Sequence, residues 1–103
     1  MTVSKVRVCK AEDLKPGMAL RVETDVEPVA VFNVDGEFYA IADTCSHEES
    51  SLSEGYVDED IVECAKHGAM FHIPSGEVRS LPATRNVRVF GTSVEDGDLY
   101  VEA

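Results

Sequence analysis

The chain's 103 residues allow one domain with a modest core, and a hydrophobic content of 44% is that of a globular protein. Nine basic against twenty acidic residues leave a net charge of −11, which disfavours nucleic acid and anionic membranes as partners. No apolar run approaches the ~20 residues of a membrane span, no signal-peptide core stands at the N-terminus, and three cysteines cannot all pair, so a cytoplasmic protein without a disulfide framework is expected.

In chain order, Val3, Val6 and Val8 mark a first strand with Lys5 and Arg7 outward, and Cys9 continues it as a packing residue. Ala11 to Leu14 reads as a single helical turn stopped by Pro16-Gly17. Met18, Leu20 and Val22 then alternate as one face of a half-buried strand. Beyond a turn at 25–28, Val29 to Val34 and Glu37 to Ile41 flank Asp35-Gly36. That dipeptide is the signature of a two-residue type I′ hairpin, because both positions need positive φ. The second arm (Phe38, Tyr39, Ala40, Ile41) is apolar at successive positions, so both its faces should be covered.

This hairpin leads into two short motifs, Cys45-Ser46-His47 and Cys64-Ala65-Lys66-His67, with sixteen residues between His47 and Cys64. Each offers one thiolate and one imidazole, so two loops would present four ligands to one metal centre. Between them Leu52 to Gly55 is turn-rich, and Asp60 to Glu63 is a short strand delivering Cys64. Residues 43–63 hold eight carboxylates (Asp43, Glu48, Glu49, Glu54, Asp58, Glu59, Asp60, Glu63) and neither lysine nor arginine. They are either a solvated loop or an acidic face that steers basic partners.

Gly68 to Phe71 permits close backbone approach, Pro74-Ser75-Gly76 is a turn, and Glu77 to Arg79 another short strand. His72 reads as a surface residue, not a ligand. After a loop at Leu81-Pro82-Ala83, Val87 and Val89 alternate with Arg88 and Phe90. Asp96-Gly97 turns the chain into a last strand carrying Leu99 and Val101. Many short strands with frequent turns predict an all-β fold, an antiparallel sandwich or barrel with a metal-binding segment, about residues 43–83, inserted between two of its strands.

Cys and His at short spacings also make structural zinc sites, but common zinc fingers pair Cys with Cys and His with His, whereas each loop here mixes the two. A Cys–His nucleophilic enzyme needs one activated thiol, not two symmetric pairs.

With these motifs and nearly its whole length, the chain resembles the Rieske-type ferredoxins, most closely the small electron-carrier component of bacterial aromatic-ring-hydroxylating dioxygenases. The resemblance implies one [2Fe–2S] cluster, with Cys45 and Cys64 on the inner iron and His47 and His67 on the outer. It implies electrons received from a flavin-dependent ferredoxin reductase that oxidises NADH and passed to a terminal Rieske oxygenase, by a monomer that docks transiently and is not itself catalytic. Glu48, Glu49 and Lys66 flank the histidines and are candidates for docking, and Pro82 matches the loop that covers the cluster. The alternative within the superfamily is the small subunit of an assimilatory nitrite reductase or a module of another oxidoreductase.

Two neutral imidazoles in place of thiolates leave the oxidised centre near zero charge, which raises its potential above that of all-Cys clusters. High-potential relatives add a disulfide between the ligand loops and hydroxyl donors to sulfur. Here the corresponding positions are Ser50 and Lys66, and Ala69 and Phe71. The expected potential therefore lies near the low end of the Rieske range, at about −150 mV.

Overall fold

A computed structural model describes residues 5–25, 27–44, 51–64, 68–80 and 86–102. The predicted hairpin is present. Strands β3 (Val29–Val34) and β4 (Glu37–Ala42) pair in antiparallel register, Val34 opposite Glu37. Asp35 and Gly36 between them have φ of 51° and 93°. The same chemistry recurs at Asp96 and Gly97 (φ 51° and 81°), which join β8 (Val89–Glu95) to β9 (Asp98–Glu102). With β1 (Lys5–Lys10) and β2 (Ala19–Val22) these strands form a six-stranded antiparallel sheet in the order β1-β9-β8-β4-β3-β2. A second sheet of three short strands, β5 (Tyr56–Asp58), β6 (Ile61–Glu63) and β7 (Met70–His72), lies between β4 and β8 in sequence. The all-β antiparallel expectation holds, with the small sheet built from the inserted segment.

The apolar run of β3 and β4 divides the interior. Val29, Val31 and Ala40 join Leu14, Val22, Leu99 and Val101 in one core cluster. Ala30, Phe32 and Ile41 join Leu52, Val62, Cys64, Phe71 and Ile73 in the other, which glues the small sheet to the large one. Burial of both faces explains why these strands do not alternate in polarity.

Three sequence expectations are corrected. Among the described residues β2 is an edge strand paired only with β3; Met18 and Leu20 are exposed while Val22 and Ala19 pack inward. In β8 the inward residue is Phe90, opposite Ala40 and packed against both clusters, and Val89 faces out. Glu77 to Arg79 shrinks to a single antiparallel bridge against β7, Val78 opposite Phe71, with the Glu77 carbonyl accepting the His72 N–H at 2.8 Å and the Arg79 N–H donating to the Met70 carbonyl at 2.7 Å. Cys9 packs against the cluster of Leu14, Leu99 and Val101 as expected, and burial pushes its thiol above the usual range.

Candidate metal centre

The first motif leaves the end of β4. There Asp43 is 1% exposed and tied down on every side. Its N–H donates to the Pro28 carbonyl at 3.0 Å, and its own carbonyl accepts the Leu52 N–H at 2.6 Å. Its Oδ2 accepts the Ser51 hydroxyl at 2.6 Å and its Oδ1 the Ser53 N–H at 2.8 Å. Arg21 donates to Ser51 Oγ at 3.2 Å and brings Nη1 within 3.7 Å of Asp43 Oδ2. Thr44 and Ser51 bridge as an isolated antiparallel pair. Thr44 and Ser51, the residues on either side of 45–50, are thus adjacent and locked in place. A buried carboxylate is tolerable only with this degree of satisfaction.

The second motif leaves β6. Cys64 is 1% exposed, its N–H donates to the Ala69 carbonyl at 2.7 Å, and its carbonyl accepts the Gly68 N–H at 3.0 Å. These bonds tie together the two ends of the connection between β6 and β7. Gly68 turns it with φ of +74°, a conformation side-chain-bearing residues rarely adopt. Ser80 braces the loop by accepting the Met70 N–H at 3.1 Å. Asn86 accepts the Val78 N–H at 2.9 Å, so both flanks of residues 81–85 are held against the same stretch.

The roots of both motifs converge. Ala42 and Leu52 on either side of the first loop, and Cys64 and Ala69 at the base of the second, belong to one core cluster. Gly55 lets them approach, because a Cβ there would sit 2.3 Å from the Glu63 carbonyl oxygen. The buried Cys64 sulfur suits a thiolate ligand: thiolate in an apolar site is costly unless a cation takes up its charge. Of the other predicted ligands, Cys45, His47 and His67 lie outside the described residues. So do Pro82, Glu48, Glu49, Ser50 and Lys66.

His72 has both ring nitrogens engaged, Nε2 with Asp60 Oδ2 at 2.9 Å and Nδ1 with Ser75 Oγ at 2.7 Å. Sequence reasoning missed the framing set Asp43, Ser51, Gly55 and Ser80. Asp43, one of the eight carboxylates that read as a solvated loop or an acidic face, is buried and partnered and adds nothing to the surface. The acid two residues before Cys45, between a strand and a loop, was the available signal.

The Rieske [2Fe-2S] domain family model matches residues 4–91. The chain is 45% identical over 96 residues to the ferredoxin component of biphenyl 2,3-dioxygenase from Rhodococcus jostii strain RHA1, covering 93% of this chain and 90% of that one. It is 44% identical over 103 residues to the biphenyl dioxygenase ferredoxin subunit of Pseudomonas sp. strain KKS102, covering 99% and 93%. A chain from the complex of reduced oxygenase and oxidised ferredoxin in carbazole 1,9a-dioxygenase superposes with a TM-score of 0.91 at 41% identity, covering 95% of this chain and 92% of that one.

Proposed function

The chain belongs to the Rieske [2Fe-2S] domain family, and from that premise we propose that it is the ferredoxin of an aromatic-ring-hydroxylating dioxygenase system. It is an electron carrier and not a catalytic subunit, and its cofactor is one Rieske-type [2Fe–2S] cluster. It takes single electrons from a flavin-dependent, NADH-oxidising ferredoxin reductase and delivers them to a terminal Rieske oxygenase. It works as a cytoplasmic monomer that docks with each partner in turn.

The observation that carries this reading is that the residues flanking the two Cys/His motifs, Ala42 and Leu52 for the first and Cys64 and Ala69 for the second, share one core cluster. In our reading residues 1–103 are one domain and about 43–83 its cluster-binding segment. Cys45 and Cys64 would hold one iron of the cluster, and His47 and His67 the other. When bound, the cluster supplies one-electron redox chemistry. The chain's own residues provide the frame. The Asp43 network fixes the first loop's ends, the β6–β7 hairpin orients the second, and the apolar surroundings of Cys64 keep water from its sulfur.

Purified without added metal, the protein is expected to be red-brown, with a reduced-state EPR average g below that of all-Cys clusters. Cys64→Ser and His67→Ala should each abolish that signature. NADH should reduce the protein only when the reductase is present, and the reduced form should support oxygenase turnover. A colourless protein holding one zinc ion would refute the assignment.

A further inference from the structure

The small sheet has one buried and one open face. Val57, Val62 and Phe71 lie in a single register row and turn into the core. The rows on either side turn outward: Tyr56–Glu63–Met70, and Asp58–Ile61–His72. Tyr56 is 66% exposed and Met70 37%, unusual for large apolar residues next to a core. With Asp58, Ile61 and Glu63 they line an open groove of 310 Å³.

Two features say what fits there. The groove alternates apolar and acidic positions, Tyr56 opposite Glu63 and Asp58 opposite Ile61, and neither acid has an ion-pair partner among the described residues. A guanidinium group meets both demands, since it stacks on an aromatic face and forks its N–H donors to carboxylates. Met70 adds an adaptable apolar contact. The groove also borders the centre: Glu63–Met70 is the last strand pair before the loop that starts at Cys64. A second copy of this chain, also carrying −11, is a poor occupant, as is an anionic lipid surface.

We infer that the outer face of the small sheet is a docking surface for the terminal oxygenase, which seats an arginine against Tyr56 between the carboxylates of Asp58 and Glu63, over Ile61 and Met70. The inference rests on the ferredoxin reading above and adds the place and chemistry of the contact. Tyrosine, methionine and arginine are the residues enriched at such interfaces.

The test measures binding of the cluster-loaded protein to the oxygenase of carbazole 1,9a-dioxygenase and to a biphenyl dioxygenase oxygenase, with stopped-flow electron delivery as a second readout. Tyr56→Ser and Asp58→Asn should each raise Kd at least about fivefold, a loss of about 1 kcal/mol. Both side chains are exposed, so the visible spectrum and dithionite reduction should stay unchanged. Glu12→Gln removes the same charge as Asp58→Asn, beside Ala11 and the other core cluster, and should leave Kd within about twofold. Unchanged binding by the two groove variants, or an equal loss in Glu12→Gln, overturns the surface while leaving the ferredoxin reading intact. A wild-type protein that carries its cluster yet binds neither oxygenase overturns that reading, and the surface with it.

Discussion

Replacing Asp43 probes how the first ligand loop is held. In Asp43→Ala the Ser51 hydroxyl loses its acceptor at 2.6 Å and the Ser53 N–H its acceptor at 2.8 Å, both in part-buried positions. Hydrogen bonds to a charged acceptor contribute about 1.5–3 kcal/mol each, and part-exposed donors recover some of that from water, so the expected loss is about 2–4 kcal/mol. Asp43→Asn keeps an oxygen for Ser53 and lets the Ser51 hydroxyl rotate, but gives up the attraction to Arg21 at 3.7 Å, for a loss of about 1 kcal/mol. Urea denaturation should therefore rank wild type above Asn above Ala, the Ala midpoint falling by roughly 1–3 M. The rate at which a chelator bleaches the visible absorbance should rise in the same order, because the loop ends separate before the core opens. A double-mutant cycle with Ser51→Ala should show coupling of about 0.5–1.5 kcal/mol. An Ala variant with wild-type midpoint and bleaching rate would show that the loop does not depend on Asp43.

Other consequences follow from packing and charge. Gly55→Ala places a methyl group 2.3 Å from the Glu63 carbonyl and 3.2 Å from that of Leu52, so thermal unfolding should show a loss of about 1–3 kcal/mol, and an unchanged Tm would mean the two segments do not touch. Cys9 keeps its proton above the ordinary thiol value of 9.0 because burial disfavours the thiolate. The folded state therefore binds more protons than the unfolded one above that pH, and stability falls as pH rises through that range. Cys9→Ala should flatten this alkaline limb, and an equally steep limb in the variant would refute the assignment. Ala69 and Phe71 are buried and carry no side-chain donor, so protein-film voltammetry should give a potential near the low end of the Rieske range, about −150 mV, and a value above zero would contradict the argument.

What could be read in the sequence was what neighbouring residues decide. Asp35-Gly36 and Asp96-Gly97 announce their hairpins because a two-residue turn is a local conformational problem, solved by the two residues in it. The spacing of the Cys/His pairs is equally local. Strand order is not. β1 pairs with β9, Lys5 opposite Glu102, and nothing in either segment names the other. From that order comes the edge position of β2, which leaves Leu20 exposed despite its alternating pattern. In β8 the same limit applies, since only pairing with β4 decides that Phe90 and not Val89 faces inward.

Charge shows the same division most sharply. Eight carboxylates between residues 43 and 63 look alike in a composition count, yet folding gives them different work. Asp43 is withdrawn from solvent to hold a loop, and Asp60 is bonded to His72, whose other nitrogen meets Ser75. Asp58 and Glu63 stand on the open face of the small sheet beside Tyr56. The segment's net charge therefore overstates the field a partner meets at close range, where two carboxylates and an aromatic ring set the contact. Long-range attraction follows the total and weakens with salt. The fit at contact follows the register of β5 and β6, and that register exists only once the sheet has formed.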